Sequence, residues 1–387
     1  MIDMSDEPRI SLPFVVYWNN IPAPYMVERF NALADSGAFE FEAWFNDRAV
    51  PDRSWDVDES SWRFKYRYVP TTRIGGRRVL HWPWLVFGRR PDVLVSLYAE
   101  PVFIAGWLLA KLRGAKTGFW VEVTFSLLIK RRAYKAWIRR WLFRRVDAIV
   151  TVSEDGKRFA ERAGANAEKI FYAPHVIDVS HYANAAQLAR SGPEQLRTDL
   201  GLHGTTFVYV GRLWWGKGLC YLLEAFEAAQ ARSSDEISLL LVGDGPEESM
   251  LRLRCVELNL RNVVFTGFKQ KPDLPRYYAA SDVFVFPTLG DTYGLVVDEA
   301  MACGLPVIST SAAGEIRDRI EEGVNGYIVP PEDSAALVER MLTLAQDGAL
   351  RARMGNISAE KIKGHTPEKW AGDFERIVAQ MLRKEIT

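Results

Sequence analysis

Two stretches of this 387-residue sequence carry residue types that could bind a phosphate-bearing ligand. One of them, residues 288–304, holds two acids, Asp291 and Glu299, on either side of Gly294. Apolar runs before and after it predict a strand, a glycine-containing loop and a helix. Because that order places a helix N-terminus at the carboxyl edge of a parallel sheet, the loop is a natural anion site. An anion site flanked by carboxylates that can bind hydroxyl groups indicates a phosphorylated sugar as the ligand.

The other stretch, residues 211–218, follows a predicted strand and contains two cations, Arg212 and Lys217, among small glycines. Arginine can hold two phosphoryl oxygens in its fork, whereas lysine acts as a point charge. Taken alone, a pair of surface cations beside a tight turn is the commoner explanation of such a motif. A second anion-binding loop at the same sheet edge favours a diphosphate site instead.

A further candidate, Glu122, lies near the carboxyl end of a predicted buried strand, 117–123. Functional residues cluster at that edge in open α/β sheets. An ion pair with one of the nearby arginines explains a carboxylate in this place equally well. Both interpretations stay open at the level of the sequence.

Strand-like and helix-like segments alternate along both halves of the chain. The predicted strands cover residues 10–18, 39–45, 63–69, 93–97, 117–123, 148–152, 205–211, 237–242, 263–266, 282–286 and 306–308. Most of them are separated by an interval long enough for a helix. This alternation predicts an α/β fold made of doubly wound parallel sheets.

Length and composition indicate two globular domains, each large enough to bury a core. A polar stretch of small residues between 180 and 193 marks the boundary. We therefore expect an N-terminal domain at 1–190 and a C-terminal domain at 191–365. Residues 366–387 are expected to form an amphipathic helix long enough to pack back on the N-terminal domain.

The sequence also bears on the cellular compartment. Its first residues are acidic before they become apolar, which is the reverse of a signal peptide. No apolar run reaches the roughly 18–20 residues that cross a bilayer. The three cysteines are scattered without metal-ligand spacing, as expected of a reducing compartment. These features predict a cytoplasmic protein.

The formal net charge is zero, yet the charges are unevenly distributed. Residues 60–145 contain 19 Lys and Arg against 3 Asp and Glu, a net charge of 19 − 3 = +16. Within them, residues 130–145 carry eight basic and no acidic side chains, and bulky residues recur there at helical spacing: Tyr134, Trp137, Ile138, Trp141 and Leu142.

A basic amphipathic helix of this kind can lie on an anionic membrane. Packing on the sheet is the commoner role of such a stripe, so we expect the stripe to be buried. The basic side chains would remain free to meet anionic lipid, which would place the protein at the inner face of the membrane. No recognised nucleic-acid-binding motif accompanies the charge, and nucleic acid is not expected as a partner.

Three motifs in order resemble the retaining GT-B glycosyltransferases of family 4. They are Gly-Arg-Leu-x-x-x-Lys-Gly at 211–218, Gly-Asp-Gly-Pro at 243–246 and acid-x-x-Gly-Leu-x-x-x-Glu at 291–299. The resemblance covers nearly the whole C-terminal domain and is looser in the N-terminal one. It implies the GT-B architecture, in which two Rossmann-like domains face each other across a cleft.

The resemblance also implies four catalytic roles. Arg212 and Lys217 would bind the donor diphosphate and offset the charge of the departing nucleoside diphosphate. Asp291, where the family usually has the longer Glu, would hold the transferred sugar. Glu122 stands where the family often has His, and it would face the sugar or acceptor hydroxyls as a hydrogen-bond acceptor or base. The two departures leave the identity of the donor sugar open.

The donor-binding residues follow from the same resemblance. Glu299 would hydrogen-bond the ribose, while the backbone of Tyr293, Gly294 and Leu295 would hold the sugar and its phosphate. Gly211 opens the diphosphate loop. No metal is expected, because two cations and a helix N-terminus would replace it. The implied chemistry retains the anomeric configuration, with the leaving phosphate taking the acceptor proton.

We therefore expect a metal-independent, retaining hexosyltransferase without a resident cofactor. Its co-substrate would be a UDP- or GDP-linked sugar, and its acceptor a saccharide or lipid-linked molecule of polysaccharide, lipopolysaccharide or glycolipid assembly. Two alternatives remain open. One is a different GT-B enzyme, either a sugar-nucleotide epimerase or a phosphorylase, and the other is a non-catalytic protein that binds a sugar nucleotide or lipid.

Overall fold

A computed structural model of the chain describes residues 12–48, 58–74, 77–80, 88–122, 133–191 and 195–383. Two parallel sheets dominate these residues, one in each half of the chain. Helices pack against both sheets, so the α/β architecture predicted from the alternating segments is confirmed.

The described residues of the first half contain nine strands. They are β1 (Phe14–Asn19), β2 (Glu40–Phe45), β3 (Lys65–Tyr68), β4 (Thr71–Ile74), β5 (Arg77–Leu80), β6 (Val93–Ser96), β7 (Lys116–Val121), β8 (Ala148–Thr151) and β9 (Ile170–Tyr172). Seven of them form a parallel sheet in the order β3-β2-β1-β6-β7-β8-β9. The other two, β4 and β5, pair as an antiparallel hairpin outside that sheet, which the sequence analysis did not predict.

In the part of the first half that the structure describes, four α-helices cover this sheet: α1 (Pro24–Ser36), α2 (Pro101–Leu112), α3 (Ala133–Phe143) and α4 (Glu154–Arg162). Local sequence fixes the ends of two of them. Pro24 begins α1, where a missing N–H costs nothing, and Gly37 ends it with φ of 65°. The Ser153 side chain caps α4 by accepting a hydrogen bond from the N–H of Gly156.

The second half contains six strands: β10 (Thr205–Val210), β11 (Ile237–Val242), β12 (Val263–Gly267), β13 (Val283–Phe286), β14 (Val307–Thr310) and β15 (Gly326–Val329). Their order in the sheet is β12-β11-β10-β13-β14-β15, all parallel. Strands β10 and β11 are buried along their whole length, which explains their continuous apolar sequences. The strand order reverses between β10 and β13, and open α/β sheets bind ligands at the carboxyl ends of such neighbours.

Ten helices follow the first half: α5 (Val179–Ser191), α6 (Gln195–Asp199), α7 (Leu219–Arg232), α8 (Glu248–Glu257), α9 (Leu274–Ala279), α10 (Leu295–Ala302), α11 (Ile316–Arg319), α12 (Ser334–Gln346), α13 (Gly348–Ile362) and α14 (Pro367–Leu382). Within the described ranges, no helix combines the length and the apolar character needed to cross a membrane.

The chain passes between the two halves twice. Tyr182 of α5 belongs to the core of the second sheet, although the sequence analysis placed the domain boundary after this helix. At the other end of the chain, α14 packs against α1, and its Trp370 and Phe374 join the core of the first sheet. The chain thus passes between the halves directly before α5 and again before α14, and each of these helices packs in the core of the half that it enters.

The basic helix α3 is placed differently from the prediction that its aromatic stripe is buried. Trp137 is 70% exposed, and Ile138 and Trp141 also face solvent. The helix is anchored through its carboxyl end instead, where Leu142 and Phe143 are buried in a cluster with α2, β7 and β8. Residues 123–132, which include the first part of the basic stretch, lie outside the described residues.

Candidate functional site

The loop after β10 packs against the loop after β11 backbone to backbone. The N–H of Gly211 donates to the carbonyl of Val242 at 3.0 Å, and the N–H of Leu213 donates to the carbonyl of Asp244 at 2.7 Å. A Cβ atom on Gly243 would stand 1.9 Å from the carbonyl oxygen of Gly211. Glycine is therefore required there, which explains why the two glycine motifs occur together.

Lys217 and Asp291 come together from loops that follow two neighbouring strands, β10 and β13. The ammonium group of Lys217 donates to Oδ2 of Asp291, and Oδ1 of Asp291 accepts from the N–H of Tyr293 at 3.0 Å. The carbonyl of Gly216 accepts from the N–H of Leu289 at 3.0 Å, which fixes one loop on the other. The predicted cation and the predicted acid thus form one unit at the switch point of the sheet.

Helix α10 presents its N-terminus at this unit. Gly294 precedes the helix with φ of 76°, a conformation that favours glycine. Among the described residues, the N–H groups of Gly294, Leu295 and Val296 have no acceptor. Free N–H groups at the positive end of a helix can bind an anion, which is the role that the sequence predicted for this loop.

Glu299 lies one turn further along α10, where it is 9% exposed. Its Oε2 accepts a hydrogen bond from the hydroxyl of Tyr278 at 2.8 Å. Burial raises the pKa of Glu299, although the bond from Tyr278 opposes that rise. This carboxyl group is therefore oriented by a buried partner that the sequence analysis did not identify.

A cavity of about 330 Å³ lies at these loops, and a volume of that size suits a small-molecule ligand. Both halves of the chain line it, with Pro24, Tyr25 and Ile177 coming from before the second sheet. Its other walls include four predicted site residues: Gly211, Arg212, Leu295 and Glu299. Tyr293 is not on this surface, because its ring is buried between the two halves.

Glu122 occupies the opposite side of the cleft, at the end of β7. Its Oε1 accepts from Nε1 of Trp120 at 2.6 Å and lies 3.4 Å from Nε2 of His175. None of the described arginines forms an ion pair with it. Burial raises the pKa of Glu122 and lowers the pKa of His175 well below its usual value, so the imidazole is neutral at neutral pH.

His175 also connects this carboxyl group to the loop that precedes α10. The hydroxyl of Tyr293 donates to the carbonyl oxygen of His175 at 3.0 Å, and the two rings meet edge to face at 5.2 Å between centroids. The sequence analysis did not single out His175. The sequence signal that could have identified His175 is its position two residues before Ile177, in a turn that leads from one half to the other.

Polar contacts join the halves at two further places, one beside the cavity and one away from it. Lys271 forms an ion pair with Glu28 of α1, and Glu28 also accepts from the N–H of Asp178 at 3.1 Å. On the far side, Oε1 of Glu315 accepts from the N–H of Glu154, at the start of α4, at 2.9 Å. The cleft is thus bridged by polar contacts at both edges.

In the part of the chain that the structure describes, no group of three or more His, Cys, Asp or Glu side chains has a geometry that could hold a metal ion.

Two family models match the chain. The model described as "Glycosyl transferases group 1" matches residues 204–347, which contain the loops after β10, β11 and β13. The model described as "Glycosyl transferase 4-like domain" matches residues 23–176, which contain most of the first sheet. Together they cover both sides of the cleft.

Similar proteins carry related names. The chain is 28% identical over 304 residues to a phosphatidyl-myo-inositol mannosyltransferase of Mycobacterium leprae, covering 78% of this chain and 74% of the relative. It is 27% identical over 365 residues to the putative colanic acid biosynthesis glycosyltransferase WcaL of Salmonella typhimurium, covering 86% and 85%.

Solved structures share the fold. Anabaena Alr3699/HepE in complex with UDP superposes with a TM-score of 0.76 at 16% identity, covering 95% of this chain and 99% of that one. The apo form of the lipopolysaccharide outer core galactosyltransferase WaaB superposes with a TM-score of 0.70 at 15% identity, covering 95% and 99%.

Proposed function

Because the chain belongs to the group 1 glycosyltransferases, we propose that it moves a hexosyl unit from a nucleotide diphosphate sugar to a saccharide or lipid-linked acceptor. The observation that carries this proposal is that Arg212, Leu295 at the start of α10 and the buried carboxylate of Glu299 line one cavity. The second cation, Lys217, lies on the same loop as Arg212 and is paired with Asp291.

The donor would bind with its nucleoside toward Glu299 and its diphosphate toward the start of α10. A buried carboxylate held by Tyr278 can accept hydrogen bonds from the two ribose hydroxyls. The free N–H groups of Gly294 and Leu295 would bind a phosphate. Arg212 and Lys217 would then offset the negative charge that develops as the sugar departs.

We propose that this transfer needs no metal ion. A divalent cation commonly neutralises the diphosphate in transferases, and here Arg212, Lys217 and the dipole of α10 can supply the same positive charge. The division of labour between the halves is part of the same proposal. The second half would bind the donor, and the first half, closed by α14, would bind the acceptor.

Retention of the anomeric configuration is the stereochemistry we propose. The acceptor hydroxyl would attack from the face that the diphosphate leaves, and the leaving phosphate would take its proton. Asp291 would hold the sugar, and Glu122 would orient the acceptor from the opposite wall. Oε1 of Glu122 is engaged by Trp120 and approached by His175, which leaves Oε2 for a hydroxyl.

The relatives support the choice of substrates. One is named as acting on phosphatidyl-myo-inositol and another as a colanic acid biosynthesis enzyme, so a lipid-linked or saccharide acceptor suits this chain. A structural neighbour was solved with UDP and with UDP and glucose, which favours a uridine nucleotide over a guanosine one as the first donor to test.

We also propose that the protein docks on anionic lipid through α3. Trp137 and Trp141 are exposed on the same helix as Arg140, and Arg144 and Arg145 follow its last residue. Aromatic side chains favour the membrane interface, while arginines favour anionic headgroups. Such a surface would bring a lipid-linked acceptor to the cleft.

Two assays test the function. A thermal-shift screen against UDP-, GDP-, ADP- and TDP-linked sugars identifies the donor, because a bound ligand raises the apparent stability. Product analysis with that donor then separates the alternatives. Transfer to a saccharide or lipid-linked acceptor supports the proposal, whereas epimerised nucleotide sugar, or sugar phosphate formed with inorganic phosphate, would identify another GT-B enzyme. Donor binding without turnover on any acceptor would identify a binding protein.

A further inference from the structure

A buried ion pair lies directly beneath the start of α10. Nη1 of Arg319 is 2.9 Å from Oδ1 of Asp298, and the two side chains are 2% and 0% exposed. Asp298 belongs to the first turn of α10, and Arg319 is the last residue of α11. A buried pair of this kind is costly to desolvate, and apolar side chains of similar volume would hold two helices together as well or better. Its presence therefore calls for a function beyond helix packing.

Besides its Nε contact with the carbonyl of Glu315 at 3.4 Å, the guanidinium of Arg319 binds three more backbone carbonyls through its two terminal nitrogens. Nη1 donates to the carbonyl of Gly294 at 3.0 Å, and Nη2 donates to those of Tyr293 and, at 2.8 Å, Gly314. The planar fork of arginine suits several acceptors at once, whereas a lysine offers one point charge. Two of these carbonyls belong to the loop that leads into α10.

These bonds fix the direction of the N–H groups on the same peptide units. In a trans peptide the C=O and N–H bonds point in opposite directions. Drawing the carbonyls of Tyr293 and Gly294 down to Arg319 therefore turns the N–H groups of Gly294 and Leu295 away from it. These are two of the N–H groups at the start of α10 that have no acceptor among the described residues.

The third carbonyl links the same arginine to Asp291. Gly314, whose carbonyl Arg319 binds, donates its own N–H to the carbonyl of Asp291 at 2.9 Å. The backbone on both sides of the donor-side loop is thus fastened to one guanidinium. Asp298 holds that guanidinium in place. Its negative charge also stabilises the positive charge of Arg319, which burial alone would disfavour.

We propose that Arg319, oriented by Asp298, is a positioning residue for the donor. It would hold the peptide units at 293–295 so that two N–H groups face the diphosphate before the donor arrives. This inference rests on the proposed function, since it assigns the anion at that site to a nucleotide diphosphate. Preorganised donors of this kind need no rearrangement during the reaction, which is how they contribute to catalysis.

The test compares Arg319→Lys with Arg197→Lys. Arg197 is a matched control, because it too binds backbone carbonyls and an aspartate, namely Ala280, Gly204 and Asp282, but at the amino-terminal edge of the same sheet. Isothermal titration with UDP and with uridine reports the phosphate contribution separately from the nucleoside contribution.

We expect Arg319→Lys to weaken UDP binding by about 10- to 100-fold, the effect of losing one or two hydrogen bonds to a charged group, with uridine binding nearly unchanged. Arg197→Lys should leave the affinities for UDP and uridine unchanged, although it should lower the melting temperature about as much as Arg319→Lys does. Equal losses for UDP and uridine, or no loss for either, would overturn the inference.

Two further outcomes are covered. If Arg319→Lys does not fold, Asp298→Asn takes its place, because Asn keeps an acceptor for Nη1 but removes the balancing charge. The same selective loss of UDP affinity is expected. An equal loss of uridine affinity would again overturn the inference. If the unmodified protein binds UDP but transfers no sugar, the proposed function fails while the positioning role of Arg319 can still be measured.

Discussion

Lys217 and Asp291 neutralise each other at the point where the donor diphosphate is proposed to bind. The lysine follows β10 and the aspartate follows β13, and their side chains are 16% and 19% exposed. A donor that uses the charge of Lys217 must therefore share it with Asp291. At the proposed phosphate site, the pair would determine both where the diphosphate binds and how tightly it binds.

Asp291→Asn should separate binding from transfer. Without the carboxylate, the charge of Lys217 is fully available, so UDP should bind more tightly than to the unmodified protein. Transfer should fall, because Asp291 is proposed to hold the sugar. Titration with UDP and steady-state kinetics measure the two effects. Weaker UDP binding together with unchanged transfer would contradict both parts of this prediction.

Lys217→Ala should reduce transfer by roughly 10²- to 10³-fold, since removing one preorganised charge contact costs about 3–4 kcal/mol. The release rate of nucleoside diphosphate is the measurement. Lys363→Ala serves as a control, because Lys363 is an exposed lysine of the same half. Transfer that survives Lys217→Ala at full rate would remove the lysine from the catalytic set.

Glu299→Gln should weaken donor binding through the ribose alone. The amide oxygen can still accept from Tyr278, so the fold of α10 is preserved, but the charge-assisted bonds to the ribose are lost at about 1.5–3 kcal/mol. Comparing UDP with 2′-deoxy- and 3′-deoxy-UDP checks the assignment. On the unmodified protein, the deoxy nucleotides should bind less tightly than UDP. On the variant, the deoxy nucleotides and UDP should bind with about the same affinity. A variant that still discriminates against them would show that another residue binds the ribose.

The buried carboxyl group of Glu315 should make stability depend on pH. Burial and the neighbouring Asp318 raise the pKa of Glu315 to about 8. Between about 4.5 and 8 the folded chain therefore keeps a proton that the unfolded chain has released, and the free energy of unfolding falls as the pH rises through this interval. The other charged groups around this carboxyl include Glu154, whose N–H donates to it, and Arg319. Asp155, Arg158 and Arg317 line the same small cavity.

Glu315→Gln should remove that part of the dependence. Denaturant unfolding at pH 5, 6.5 and 8 is the measurement, with exposed Glu339→Gln as the control. The difference between the Glu315→Gln variant and the unmodified protein isolates this group from every other titrating group. A constant difference at all three values would exclude Glu315 as the source.

The membrane surface can be tested on α3. Replacing Trp137 and Trp141 by Ser should reduce binding to vesicles that contain anionic lipid, and replacing Arg144 and Arg145 by Glu should abolish it at low salt. Leu253→Ser is the matched control, because Leu253 is 59% exposed on α8 in the other half. Equal binding to neutral and anionic vesicles would contradict an electrostatic contribution.

The sequence predicted the sheets well, because buried parallel strands are continuous apolar runs separated by helices. It missed two edge strands, β9 and β15, and also the β4–β5 hairpin, although the dipeptide Gly75–Gly76 between the hairpin strands is a recognised turn signal. It also predicted the wrong buried face for α3. A stripe of apolar residues at helical spacing shows that one face differs from the other, but it does not show which residues the sheet covers.

The site was predicted in part for a similar reason. Glycines and charges at sheet edges mark the loops, because local backbone geometry demands them. The partners that orient the side chains are distant in sequence and carry no local signal. Tyr278 reaches Glu299, Arg319 reaches Asp298, and His175 approaches Glu122 only after the chain has folded.

The two chain crossings described above limit how the halves can move. One crossing lies at the turn before α5, and the other at the turn before α14. A body attached at two points can rotate freely only about the line through them. Opening and closing of the cleft should therefore follow one rotational axis. A disulfide or linker placed near that line would leave the motion intact, whereas one placed at Glu315 and Glu154 would stop it.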